Sequence, residues 1–248
     1  MKLTVVGCSG TFPSPASPCS SYLVEADGYR LVLDLGNGAL GALQSHVGLY
    51  DVDAVVLSHL HADHCIDLLA YWVARNYRQE GCPDLLPVYG PRDTPGRLAR
   101  AYDMPEQPGM TEVFDFRTLT PGSFQLGPLT VTAVQVNHPV EAYAFRIDHD
   151  GRSLVYSGDT GECPDLVELA RGTDLFLCEA AFTDGKETFQ AIHLNGREAG
   201  EHAAAAGAGR LVLTHIPPWT DPDRNLRDAE AAYSGPVEVA KAGAVYEI

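Results

Sequence analysis

Short apolar runs alternate with stretches of helical periodicity along the whole chain. KLTVVG, SSYLVEAD and RLVLDLG open it as β-type segments punctuated by Gly, Pro and Ser, and DGY between the second and third reads as a hairpin turn. A helical pattern follows over 65–78, then the strand LPVYG and a helix over 94–102. From 111 onward TEVFDFRTL, SFQLG, LTVTAVQVNH, AYAFRID and RSLVYSGD read as successive strands. The last two are joined by HDG, where Gly151 can take a positive φ. A helix over 164–171, the strand DLFLCEA, a helix over 196–206 and the strand RLVLTH complete the series, with Asn195 as the N-cap of the last helix and Gly207 as its stop. This mixture predicts an α/β architecture of two sheets with helices outside them, in one domain spanning 1–248.

Comparing the ends of the apolar runs exposes a pattern that the runs alone do not. AVVLSH ends in His59, VTAVQVNH in His138, SLVYSGD in Asp159 and LVLTH in His215. A buried strand is rigid where it leaves a sheet, so side chains at several such ends can converge on one point. The segment SHLHADH adds His61, Asp63 and His64 to His59 within a few positions.

Imidazole and carboxylate without thiolate suit zinc or a similar borderline divalent ion. Seven groups exceed what one tetrahedral ion accepts, so His59, His61, Asp63, His64, His138, Asp159 and His215 predict two ions, with Asp159 able to bridge them. Two metals at close spacing would hold a water and lower its pKa, making a hydroxide nucleophile. Taken singly, His138 or His215 reads as an ordinary packed or capping residue; the cluster is what changes that reading. His46, His149 and His202 lack such company and are expected to be solvated loop or helix-face residues.

Composition limits the partners. The hydrophobic content of 45% over 248 residues is enough for a large core. The formal charge of −16 would repel nucleic acid over most of the surface. Arg75, Arg78, Arg92, Arg97 and Arg100 are interspersed with Glu80, Asp84 and Asp93 and read as solvated helix faces. Six cysteines at irregular spacings indicate neither a disulfide framework nor a thiolate site. With no signal-type h-region and no long apolar span, the expected location is cytoplasmic, without a membrane partner.

At this point the motifs carry a resemblance. SHLHADH matches the His-x-His-x-Asp-His signature of the metallo-β-lactamase superfamily, and NHP, YSGDT and LTHI resemble its remaining metal motifs in order. VGCSGTFPS, LVLDLGNG, LPVYGP, LCEAAF and IHLNGREAGEHA are similar to the ribonuclease Z and phosphodiesterase branch. The resemblance implies a four-layer αββα sandwich with a dinuclear site at one edge. It assigns His59, His61 and His138 to one zinc and Asp63, His64 and His215 to the other, with Asp159 shared and Mn2+ as an alternative to zinc. It also implies that Asp34 holds the histidine loop, where the residue alone reads equally as a turn residue. By the same resemblance His193 faces the substrate, able to protonate a departing alkoxide. In the mechanism expected from the two-metal site, Asp63 also accepts the proton of the hydroxide nucleophile. Glu179 either orients His193 or joins a hydrogen-bonded network.

The expected activity is hydrolysis of a small phosphodiester, such as a cyclic nucleotide or short nucleotide. A carboxyl-ester, lactone, thioester or β-lactam hydrolase and a ribonuclease Z-type tRNA 3′ endonuclease are the alternatives. Two departures from the ribonuclease Z pattern weigh against tRNA and other long structured RNA. Only twenty residues separate His138 from Asp159, which leaves no room for an RNA-grasping arm, and IPPWTD after His215 places Trp219 and two prolines as a stiff apolar wall of the substrate pocket. A homodimer is expected by analogy with the family.

Overall fold

The structure, a computed structural model, describes residues 1–185 and 192–248. In chain order its elements are β1 (Lys2–Gly7), β2 (Ser21–Ala26), β3 (Tyr29–Leu33), α1 (Ala39–Leu43), β4 (Ala54–Val56), α2 (Ala62–Cys65), α3 (Leu68–Asn76), β5 (Leu86–Gly90), α4 (Thr94–Ala101), β6 (Phe114–Thr118) and β7 (Gly122–Leu126). They continue with β8 (Leu129–Gln135), β9 (Tyr143–His149), β10 (Arg152–Tyr156), α5 (Pro164–Leu169), β11 (Leu175–Glu179), α6 (Gly196–Ala206), β12 (Leu211–Thr214), α7 (Pro222–Ala232), β13 (Val237–Val239) and β14 (Val245–Glu247).

One sheet runs β14-β1-β2-β3-β4-β5-β6 and the other β13-β12-β11-β10-β9-β8-β7. Each is mixed. β1, β2 and β3 are antiparallel and β3 to β6 parallel. β7 to β10 are antiparallel and β10 to β13 parallel.

Both faces of each sheet are covered, which is why the strands read as continuous apolar runs rather than as clean alternation. The period of two survives inside the runs. Leu31 and Leu33 of β3, Ala54 and Val56 of β4, and Leu175 and Leu177 of β11 face the core shared by the two sheets. Val32 and Val55 point the other way, packing with residues of α1, α3 and α4. Phe176, Cys178, Leu211 and Leu213 do the same against α5, α6 and α7. The layers are therefore helix, sheet, sheet, helix, as the motif resemblance implied.

Parallel strands share a direction, so β3, β4 and β5 deliver their C-terminal ends to one edge of their sheet, and β10, β11 and β12 do so in the other. β8 is antiparallel to β9, which is antiparallel to β10, so β8 ends at that edge too. Loops beyond the carboxyl ends of such strands are the usual place for a site in open α/β sheets.

Several expectations need correction. The helix expected over 65–78 is broken into α2 and α3, because the carbonyl of His64 accepts from Leu35 N–H at 2.7 Å and Asp67 N–H donates to Leu35 O at 3.1 Å. Those backbone groups are diverted to the neighbouring loop and cannot serve the helix. Arg75 is buried, not solvated, its guanidinium donating to Asp84 O. His202 is also buried: its Nδ1–H donates to Glu198 O at 2.8 Å and its Nε2 accepts from Cys163 N–H at 3.2 Å. The His149 side chain is largely covered as well, between Asp27 and Asp150, whereas His46 is exposed as expected. α6 begins and ends where the sequence places it. Asn195 and Glu198 form a reciprocal capping box and Gly207 takes the left-handed conformation at the C-terminus.

Candidate metal centre

Everything at the site starts from how β4 gives way to the histidine segment. Asp34, just past β3, has a φ of 56° and is fully buried. Its Oδ1 accepts Ser58 N–H at 2.7 Å. Its Oδ2 accepts Ser58 Oγ–H, His64 Nδ1–H and Tyr156 O–H, each at 2.7 Å. One carboxylate thus anchors both ends of the loop, with a tyrosine from the second sheet as the fourth donor. His61 is the N-cap of α2, which carries Asp63 and His64 on its first turn. α2 lies so close to the preceding loop that a Cβ at Gly36 would collide with the carbonyl of Asp63. Gly36 is what allows the approach.

The structure brings all seven sequence-predicted ligands together, but not at strand ends as expected. His59, His138 and Asp159 each stand three residues beyond β4, β8 and β10, and His215 directly follows β12. They fall into two groups that share Asp159: His59, His61, His138 and Asp159; and Asp63, His64, Asp159 and His215. In the first, His59 Nε2 lies 3.0 Å from His61 Nδ1, which is 3.2 Å from His138 Nε2, and His59 Nε2 is 3.6 Å from Asp159 Oδ2. In the second, Asp159 Oδ2 is 3.2 Å from His64 Nε2 and 3.3 Å from His215 Nε2, while Asp63 Oδ2 is 3.7 and 3.8 Å from the same two nitrogens.

Donor atoms set tetrahedrally at ~2.0–2.2 Å around a divalent ion stand ~3.3–3.6 Å from one another. The spacings at both groups scatter about that range. Two further features fit cations there. Three imidazole nitrogens in the first group point at one another, an arrangement that lone pairs alone would oppose. In the second, Asp159 Oδ1 is buried without a hydrogen-bond partner among the described residues, a cost of ~1–3 kcal/mol unless something else binds it.

Electrostatics agree with the geometry. Burial and the neighbouring histidines hold His59 well below the ordinary imidazole pKa, and burial likewise lowers His61, His138 and His215. Each lowered pKa favours the neutral ring, whose lone pair a cation can take. For Asp159, burial pushes toward the neutral acid but is outweighed by His215, His64 and His59, so the carboxyl is held well below its usual range. Burial also disfavours charge on His64, yet Asp159 and Asp34 on either side overcome it and draw a proton onto the ring. That proton occupies the place a cation would take.

Glu179, at the end of β11, lies in a hydrogen-bonded network that includes His193. Its Oε1 accepts His193 Nδ1–H at 2.8 Å and Thr160 N–H at 2.8 Å, and its Oε2 accepts Ala181 N–H at 3.1 Å. The His193 ring lies 5.4 Å from that of His138 and 5.7 Å from that of His215, one from each group. Burial alone would depress its pKa; the Glu179 carboxylate raises it to about 9. Trp219 is 68% exposed, on the loop after His215.

Other supporting residues carried no sequence signal of their own. Ser20 Oγ lies 2.9 Å from His215 Nδ1, and Thr11 N–H donates to Asp63 Oδ2 at 2.9 Å. Tyr22 of the first sheet bonds Thr214 of the second at 2.7 Å, beside His215, while Tyr156 makes the reverse crossing to Asp34. Ser58, Thr11, Tyr156 and Thr214 lie inside SHLHADH, VGCSGTFPS, YSGDT and LTHI, but those motifs gave them no role of their own. Outside the site, Asp27, His149 and Asp150 also group closely, at two hairpin turns.

Residues 29–216 match the family model described as β-lactamase superfamily domain. The probable metallo-hydrolase YhfI of Bacillus subtilis is 33% identical over 257 residues, covering 100% of each chain. Its crystal structure superposes with a TM-score of 0.88, covering 100% of this chain and 98% of that one. A protein of Mycobacterium leprae is 46% identical over 253 residues, spanning 100% of this chain and 89% of its own length. A ribonuclease Z of Myxococcus xanthus is 28% identical over 303 aligned positions, covering 100% of this chain and 98% of that protein. By its matched motifs, its two seven-stranded sheets flanked by helices and these relatives, the chain belongs to the metallo-β-lactamase superfamily of hydrolases, in its ribonuclease Z and phosphodiesterase-like branch.

Proposed function

We propose that this protein hydrolyses a small phosphodiester, a cyclic nucleotide or short nucleotide, using two Zn2+ ions. His59, His61, His138 and Asp159 would hold one ion and Asp63, His64, Asp159 and His215 the other, with Mn2+ as the alternative metal. When bound, such a pair supplies Lewis acidity and lowers the pKa of coordinated water toward neutrality. The observation that carries the reading is His193, held by Glu179 at 2.8 Å and set between the two ligand groups.

The chain's own residues then divide the work. Glu179 engages Nδ1 and stabilises the imidazolium, which leaves Nε2–H of His193 as the donor to the departing oxygen. An alkoxide is a poor leaving group and needs that proton. Asp63, whose Oδ2 is fixed by Thr11 N–H at 2.9 Å, takes the proton of the attacking water. Asp34 and Ser58 keep His64 and the histidine loop in place during the cycle.

Small size is supported by the hairpin between His138 and Asp159. β9 and β10 pair from Phe145 to His149 against Arg152 to Tyr156 and join through a tight turn at Asp150 and Gly151. The alignment with the ribonuclease Z runs 303 positions against 248 residues here, so that relative carries insertions this chain lacks. The net charge of −16 also disfavours a polyanion.

The test assays the zinc-loaded protein in parallel on bis(p-nitrophenyl) phosphate, cyclic nucleotides, a homoserine lactone and a β-lactam. Turnover confined to the carboxyl substrates would overturn the proposal. His193→Ala is expected to slow cyclic nucleotides by roughly 10²–10⁴-fold while sparing much of the activity on p-nitrophenyl esters, whose leaving group needs no proton. Equal losses on both would deny His193 the acid role.

A further inference from the structure

Phe12 and Trp219 are large hydrophobic side chains left 40% and 68% exposed, yet they touch each other, with ring centroids 4.9 Å apart and planes inclined by 45°. Single exposed aromatics are ordinary; a contacting pair on the loops of a candidate active site is not. Phe12 follows Thr11, whose N–H is on Asp63, and Trp219 lies four residues beyond His215. Gly10 N–H donates to Ile216 O at 3.2 Å and ties the two loops together.

Both loops are stiff. Ser9 Oγ–H donates to Phe12 O at 2.8 Å and Phe12 N–H to Gly10 O at 2.7 Å. On the other side Pro217 and Pro218 precede Trp219, Thr220 N–H donates to Pro217 O at 2.9 Å, and Thr220 Oγ–H donates to Ala181 O at 3.1 Å. Thr11 has a φ of 65° and His215 a φ of 55°. A β-branched residue rarely takes that region, and strain of this kind persists where surrounding structure enforces it. At Thr11 one strained residue both aims its N–H at Asp63 and sends the chain outward to Phe12.

We propose that Phe12 and Trp219 form a stacking site for the nucleobase of the substrate, an inference that rests on the phosphodiesterase reading above. The loops 8–17 and 215–222 contain no Lys or Arg. They offer no cation to a phosphate, and the acidic surface repels one. A nucleotide held by its phosphate at the metal centre therefore needs an uncharged contact at its other end. Rigid aromatic faces supply it at little cost in conformational entropy, and every base has a π face to present.

The test compares the zinc-loaded protein with Phe12→Ala, Trp219→Ala and Trp219→Phe on adenosine 3′,5′-cyclic phosphate and on the same cyclic phosphate with a methoxy group in place of the base. Either alanine variant is expected to lose roughly tenfold more kcat/KM on the base-bearing diester than on the base-free one, through KM, and Trp219→Phe to recover most of the difference. A second readout needs no turnover. Adenosine 5′-monophosphate should quench the tryptophan emission of the zinc-loaded protein, ribose 5-phosphate should not, and the quenching should vanish in Trp219→Phe. Equal losses on the two diesters, or equal quenching by the two monophosphates, would overturn the stacking site. If the unaltered protein cleaves no diester at all, the phosphodiesterase reading falls on that result, and the quenching alone decides whether the aromatic pair binds a base.

Discussion

The two ligand groups share Asp159 and differ in almost everything else. In the group of Asp63, His64 and His215, every ligand is buried and each is held from behind: His64 by Asp34, His215 by Ser20, Asp63 by Thr11 N–H. The group of His59, His61 and His138 is more open. His138 donates to Ile192 O at 2.9 Å and His59 meets Ser58 Oγ at 3.1 Å, but His61 is exposed and, among the described residues, bonds only its fellow histidines. The deep group is preorganised before any ion arrives, because hydrogen bonds from other elements already fix its rings and tautomers. The open group would have to be ordered by the ion itself.

Replacing the shared residue should have the largest effect. In Asp159→Asn both groups lose their common anionic oxygen, so hydrolysis is expected to fall on the order of 10³-fold or more and both ions to bind weakly by elemental analysis. An ion retained at full affinity would show that Asp159 is not shared. Asp34→Asn sharpens the contrast. The deep ion should weaken by about 10–100-fold in competition with a chromophoric chelator, and the other ion, which Asp34 reaches only through Ser58, by markedly less. A uniform loss at both would mean that the groups are not separately supported.

Smaller effects follow. Stepwise chelation of protein loaded with two equivalents of zinc should remove the ion of the open group first, at a chelator concentration roughly tenfold lower, since its ligands carry fewer fixing partners. Release in the opposite order would break the comparison outright. Ser20→Ala removes one neutral hydrogen bond from His215, worth ~1 kcal/mol, and should weaken the deep ion about fivefold. The same assay on the open group should register no change.

The candidate ligands were legible because their types and spacing are unusual: SHLHADH has no common structural explanation, and His138, Asp159 and His215 each follow an apolar run. The supports behind the deep group were not legible. Tyr156 opens YSGDT and Ser20 opens SSY, but neither stretch marks the hydroxyl as a partner of Asp34 or His215. The break between α2 and α3 was hidden for the same reason, since it depends on hydrogen bonds to Leu35 and not on any residue of the helix pattern. His202 and Arg75 were misread as solvated because a polar residue on a helix gives no sign of what packs over it. α7, β13 and β14 were passed over; the strands are only three residues long.

Periodicity, turn chemistry and motif spacing by themselves determined the alternation of strands and helices, the capping of α6 and the seven side chains with ligand chemistry, because each of these depends on near neighbours in the chain. Tertiary structure alone decided which ligands are braced, and that Phe12 lies against Trp219. Those outcomes depend on two sheets closing over one core, so that hydroxyls such as Tyr22 and Tyr156 reach across to the opposite half, and such contacts between residues far apart in sequence leave no local trace.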